Sequence, residues 1–442
     1  MALTLCPTLP QVWRFRIALP KMRCVCSMNR PMELGCWLVK IAAATFARSA
    51  RVLRPTTAAF ASRVAAVALT LAPPLAQATP AFDQVARNYA SIVHASYADT
   101  IAVARQMRRA IEVFLAHPSF ENLTAARQAW LVARYWYSQT EPYRFYGGPI
   151  DGPGGAEPRI NGWPVDEAYI DSVRGRPDAG IINDPLVPID ARHLARLNAR
   201  GGEENIATGW HAIEFLLWGQ DFDPAGPGAR SHEDFIDGKA INAARRRLYL
   251  RVVTDLLVKD LESVAREWEP HRLNYRARFE RAGEEAVRRM FVGLGSLARG
   301  ELAGERLEVA LATQDQEDEQ SCFSDNTHND IIANATGLNN VWLGRYYRLD
   351  GTVIEGPSLR DLVAIRDGVI ADNTTHALAE VLQGAKAIHP PFDQEIIGGD
   401  DAPGRQRVRV VIESLKRASQ DLVRAAYALG IMRLTLAQPK AR

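Results

Sequence analysis

Between Thr208 and Trp218 the chain reads Thr-Gly-Trp-His-Ala-Ile-Glu-Phe-Leu-Leu-Trp, which sets one imidazole and one carboxylate three residues apart among apolar neighbours. That spacing puts His211 and Glu214 on one helical face. A helix this rich in Ile, Phe, Leu and Trp belongs in an interior, where each unpaired polar group costs roughly 2–7 kcal/mol. Whatever fold the chain adopts must therefore supply partners for both side chains, and a metal ion is one candidate.

The rest of the sequence supports a helical interior. Apolar residues recur at helical spacing from Val85 to Leu115 and from Phe120 to Tyr137, and Leu248 to Trp268 form another stripe. Further helices are expected at 276–297, 301–313, 331–347, 359–366, 373–388 and 405–428, and the His211/Glu214 helix at 203–218. Residues 145–190 are dense in Gly and Pro yet carry Tyr146, Trp163 and Tyr169, so an ordered loop region packed on the helices is expected. Strand alternation is scarce. These patterns predict an all-α chain of two helical-bundle domains packed around an interdomain cleft, with a boundary near residue 270.

Charge is unevenly distributed. Residues 1–78 hold ten of the 53 Lys/Arg but only one of the 51 Asp/Glu, so the formal net charge of +2 hides an acidic body. Such a body lacks the basic footprint of nucleic-acid binding and suits cations better. Arg51 to Arg63, the apolar run Val64 to Leu75 and Ala76-Gln77-Ala78 have the order of a secretory signal, with cleavage expected after Ala78. Residues 1–78 are thus read as a leader with a misassigned start, and the mature chain as 79–270 followed by 271–442, with no transmembrane span. Four of the five cysteines lie in the leader, which leaves Cys322 alone and excludes a disulfide framework. The acidic run Asp315-Gln316-Glu317-Asp318-Glu319 is expected to be a solvated loop.

A His-x-x-Glu pair alone has low specificity, and the second His of a zinc-peptidase helix is absent, since Phe occupies position 215. Together with other segments the pair says more. Gly209-Trp210-His211-Ala212-Ile213-Glu214 fits the Gly-x-His-x-x-Glu signature of the imelysin family, also called the iron-regulated protein A or insulin-cleaving membrane protease family. The resemblance extends through Ala129-Trp130 with Tyr137, Thr140 to Phe145, Gly148 to Asp151, Asn161 to Glu167, Ser321 to Asp330 and Pro391-Phe392-Asp393.

This resemblance implies a periplasmic or outer-envelope protein of two helical bundles, with a site between them that includes the signature His and Glu, and a link to iron acquisition. Peptidase activity is also assigned to the family. His211 and Glu214 are the expected metal ligands, with Glu141 as an added carboxylate. Gly209, Asp325, His328 and Asp330 are expected to line the cleft. Imidazole and carboxylate donors favour iron, with zinc as the next choice. The expected partners are the ion and envelope iron-transport components. The alternatives are a metal-dependent peptidase, which also needs an open coordination position and a general base, and a cleft that receives a peptide or envelope partner without metal.

Overall fold

The computed structural model describes residues 81–438, so the expected leader, the expected signal and the four cysteines of residues 1–78 lie outside the described residues. Fifteen α-helices run through the described part: α1 (Phe82–Ala116), α2 (Phe120–Ser138), α3 (Glu157–Asn161), α4 (Glu167–Ile170), α5 (Ala191–Leu197), α6 (Gly209–Trp218), α7 (Ala243–Arg266) and α8 (Tyr275–Phe279), then α9 (Glu284–Ser296), α10 (Val309–Thr313), α11 (Thr327–Leu343), α12 (Leu359–Arg366), α13 (Gly368–Ala387), α14 (Asp393–Ile396) and α15 (Pro403–Ala428). Two three-residue strands, β1 (Arg345–Tyr347) and β2 (Val353–Glu355), pair antiparallel as a small hairpin. The protein is all-α, and none of the described helices is long and apolar enough to cross a membrane.

The helices form where period and caps agree. In α1 the buried stripe Val85, Tyr89, Ile92, Val93, Ala104, Met107, Ile111 and Phe114 packs on α2 and α7. Ser119 caps α2 by accepting from the Asn122 N–H at 3.2 Å, and Ser358 with Asp361 forms a reciprocal capping box on α12. On the other side α13 packs along α15, and α11 lies against α13 and α2. One apolar cluster threads helices from before and after residue 270, from Val85 to Ile431.

Several boundaries differ from the sequence reading, and α13 also starts earlier than expected, at Gly368, where Asp367 caps it by accepting from the Ile370 N–H. The helix expected at 203–218 begins only at Gly209, because the Asn198 side chain accepts from the Ala207 and Thr208 N–H groups and holds the approach extended. The helices expected at 276–297 and 301–313 are differently divided: α8 stops at Phe279, and α9 runs through a π-helical stretch, Leu297–Glu308, into α10. The helix expected at 331–347 starts at Thr327 and stops at Leu343, where Gly344 adopts φ +63° before β1. Residues 145–190 are largely loop, pinned by the buried Ile150, Ile160, Ile170, Ile181 and Ile182.

Candidate functional site

All ten residues of α6 are buried. Its two polar side chains meet each other first. His211 Nδ1 lies 2.8 Å from Glu214 Oε2, while Glu214 Oε1 accepts from Ser324 twice, from the backbone N–H at 3.0 Å and from the hydroxyl at 2.6 Å. Ser324 ends a short 3₁₀ turn, Cys322–Ser324, so α6 is tied to a segment more than a hundred residues later in the chain. His211 Nε2 is buried and has no hydrogen-bond partner. Burial, reinforced by the Arg134 and Arg306 guanidiniums, holds the imidazole well below its ordinary value and therefore neutral. Burial also pushes Glu214 up, to about 8, against the opposing pull of Ser324 and Arg134.

Beside this pair runs a second buried network. Arg134 of α2 donates from Nε to Asp330 Oδ1 at 2.9 Å and from Nη1 to Asn161 Oδ1, and Ser138 and Ser321 donate to the same Asp330 carboxylate. Asp330 sits in the first turn of α11, where a carboxylate also suits the helix dipole. Glu141 accepts from Asn161 at 3.0 Å, from Arg144 at 2.6 Å and from Arg306 at 2.8 Å. Burial alone would raise the Glu141 carboxyl, but Arg144, Arg306 and Arg134 outweigh it and hold it at about 2. Arg306 projects from the π-helical stretch and reaches Asn334 of α11 as well. Irregular turns of this kind are frequent where a helix must aim one side chain.

Of the residues expected from sequence, His211, Glu214, Glu141 and Asp330 gather around Arg134, though in different company. His211 and Glu214 pair directly. Glu141 and Asp330 each balance buried arginines. His328 is half-buried, with Nδ1 3.1 Å from the Asp325 carbonyl, and burial lowers its pKa. Asp325 adopts φ +54° after the turn and meets Asp221 and Asp393. Gly209 has φ +90°, and a Cβ there would lie 2.4 Å from the Ile160 carbonyl oxygen, so this glycine permits close backbone packing on α3. The acidic run 315–319 is not uniformly solvated, because Glu319 is fully buried. Cys322 is buried, and burial pushes its thiol well up.

Sequence reading missed Arg306, Asp221, Asp393 and Glu319 as members of polar clusters. Arg306 carried a signal, a cation on the apolar stripe of Leu302, Ala303 and Leu307, all buried. Asp393 was marked only by the Pro391-Phe392-Asp393 segment of the family resemblance, and Asp221 carried no signal, because its neighbours come from separate segments.

One donor of this site fits a metal: the orphaned Nε2 of His211, whose ring is braced through Nδ1 by a carboxylate, as metal-binding imidazoles usually are. Glu214, by contrast, has both oxygens engaged, and Glu141 is enclosed by guanidiniums that disfavour a cation.

The chain is 27% identical over 315 residues to iron-regulated protein A of Synechococcus elongatus, covering 69% of this chain and 75% of that protein. In fold it resembles the crystal structure of a candidate iron-regulated protein A precursor from Parabacteroides distasonis, with a TM-score of 0.60 at 17% identity, covering 80% of this chain and 97% of that one. The imelysin family model, which carries a peptidase label, matches residues 93–422, and the chain belongs to the imelysin family.

Proposed function

We propose that this imelysin-family protein binds a metal ion through His211, iron by preference and zinc next, and sequesters or hands on the ion without chemical turnover. The observation that carries the reading is the buried His211 Nε2, left without a partner while Nδ1 is fixed on Glu214 and Glu214 on Ser324. A buried polar ring nitrogen is costly unless something binds it, and a neutral imidazole is the form that ligates. On this reading Glu214 orients the ring and Glu141 serves to neutralise Arg144 and Arg306. The two proposed bundles, 79–270 and 271–442, each contribute, through α6 and through the Cys322–Ser324 turn.

The peptidase alternative asks for a carboxylate free to act as general base. Both oxygens of Glu214 are already engaged, by His211 and twice by Ser324, and Glu141 accepts three hydrogen bonds, which favours binding without turnover. The iron preference leans on the name of the Synechococcus relative, and it goes with export to the periplasm or outer envelope and delivery to iron-transport components there.

The test is calorimetric titration of the metal-stripped protein with Fe³⁺ nitrilotriacetate, Fe²⁺ and Zn²⁺ at neutral pH, beside His211→Ala. Saturable binding in the wild type that is lost in the variant is expected. A folded wild type that binds none of the three overturns the metal reading, and unchanged binding by His211→Ala overturns the role of His211.

A further inference from the structure

Three loops converge on a small acidic chamber distinct from the His211 pair. Asp221 lies just beyond the C-terminus of α6, Asp325 follows the Cys322–Ser324 turn, and Asp393 opens α14. One carboxylate oxygen from each lies within 4.8 Å of those of the other two. The three residues are 3%, 8% and 2% exposed. Burial this deep obliges carboxylates to find donors, yet no amide, hydroxyl or cationic donor reaches Asp221 Oδ2, Asp325 Oδ1 or either oxygen of Asp393, and their near neighbours are other carboxyls, Asp325 beside Asp221 and the buried Glu319 beside Asp393. The second oxygen of Asp221 accepts from the Asp223 N–H at 2.9 Å. Asp221 and Asp393 also line a surface cavity of about 470 Å³, whose wall includes Asp315 and Glu317, so the chamber has an approach from solvent bordered by further acids.

We infer that Asp221, Asp325 and Asp393 form a binding site for a hard divalent cation of the calcium class. The donors are all oxygens, with no imidazole or thiolate among the three, which selects against zinc and copper. Oxygens within 4.8 Å of one another can share a single ion at calcium–oxygen distances of about 2.4 Å. Calcium tolerates irregular donor sets drawn from loops better than magnesium does, and water from the cavity completes its shell. A cation would supply the positive charge that these three carboxyls lack, since among the described residues no Lys or Arg nitrogen lies within 4.0 Å of them. Without one, burial and the neighbouring Asp393 and Asp221 push Asp325 up to about 8, and Asp221 and Asp393 are raised as well, chiefly by burial. The ion would also cross-link the α6 exit, the turn and α14. Because Ser324 of that turn holds Glu214, this would steady the neighbouring site as well.

This inference goes beyond the proposed role of His211 and does not rest on it. The test is thermal melting and calorimetry of the EDTA-treated protein with CaCl₂ and MgCl₂ as probes, from roughly 10 µM to 10 mM, a range that spans sensor-type to extracellular calcium sites. The wild type is expected to bind calcium saturably, and its melting midpoint to rise with the logarithm of calcium concentration. Asp393→Asn and Asp221→Asn are each expected to weaken calcium binding at least tenfold, and without calcium to melt no lower than the wild type because charge repulsion is relieved. His211→Ala should keep the calcium response, and Asp393→Asn should keep iron binding, so the two readings fail separately. A folded wild type indifferent to calcium overturns the inference and leaves the carboxyls holding protons. Undiminished calcium binding in both asparagine variants overturns the assignment of the site, and iron binding there without calcium binding overturns the choice of ion.

Discussion

Gly209→Ala isolates what the glycine of the signature contributes. Two terms add at this position. The backbone has φ +90°, where an L-residue pays on the order of 1–2 kcal/mol for the left-handed side of the map. The new methyl would also lie 2.4 Å from the Ile160 carbonyl oxygen and 2.7 Å from that of Arg159. Those carbonyls cannot retreat freely, since Thr208 Oγ1 donates to the Arg159 oxygen at 3.0 Å and Asn198 holds the Pro158 oxygen at 2.7 Å. Overpacking against such a wall costs about 1–3 kcal/mol.

The sum is about 2–5 kcal/mol. With an unfolding entropy near 2 cal/mol/K per residue over roughly 360 residues, a loss of 3 kcal/mol lowers the melting midpoint by some ~4 °C. Gly154→Ala is the internal control. Gly154 has φ +75° but nothing within 4 Å of its would-be Cβ, so it pays the backbone term alone. Urea titration followed by tryptophan fluorescence should then place Gly209→Ala about 1–3 kcal/mol below Gly154→Ala, the overpacking term alone. Equal losses in the two variants would refute the argument that backbone approach on α3 requires the signature glycine.

Arg134→Met is expected to cost about 3–5 kcal/mol, because it strands Asp330 in the interior with only Ser138 and Ser321 as donors, and Arg134→Met/Asp330→Leu should recover much of that. A single variant within about 1 kcal/mol of the wild type in urea titration would contradict the buried pairing. Acid sensitivity should trace to Glu141, held at about 2 in the fold against about 4.3 in an unfolded chain. A carboxyl with a depressed folded value stabilises fully above its unfolded value, and that contribution, on the order of 3 kcal/mol, is lost as pH falls toward 2. The stability gap between wild type and Glu141→Gln should therefore shrink between about pH 5 and pH 3, and a gap independent of pH would refute the assignment.

Several features were legible without coordinates. The periodicity of α1 and α2 gave their extents to within three residues, since long amphipathic stripes leave little choice of face. The burial of His211 and Glu214 followed from their apolar neighbours. The true start of α6 was hidden because Asn198, eleven residues before Gly209, fixes the extended approach through its side chain. Glu141 looked like a spare carboxylate near a candidate ion, and only the approach of Arg306 from the π-helical stretch made it an anion balancing two cations.

What the sequence determined by itself is set by neighbours along the chain: an all-α fold, the face on which His211 and Glu214 lie, and membership of a helical family through the segments around them. Whether a polar side chain is satisfied depends on partners far apart in sequence, and these only the tertiary structure decided. Ser324 reaches Glu214, Arg306 reaches Glu141, and Asp221, Asp325 and Asp393 meet from three separate loops. The physical reason is the range of each force. Helix periodicity acts over three or four residues, whereas desolvation and charge act on whatever the packed interior brings within a few ångströms.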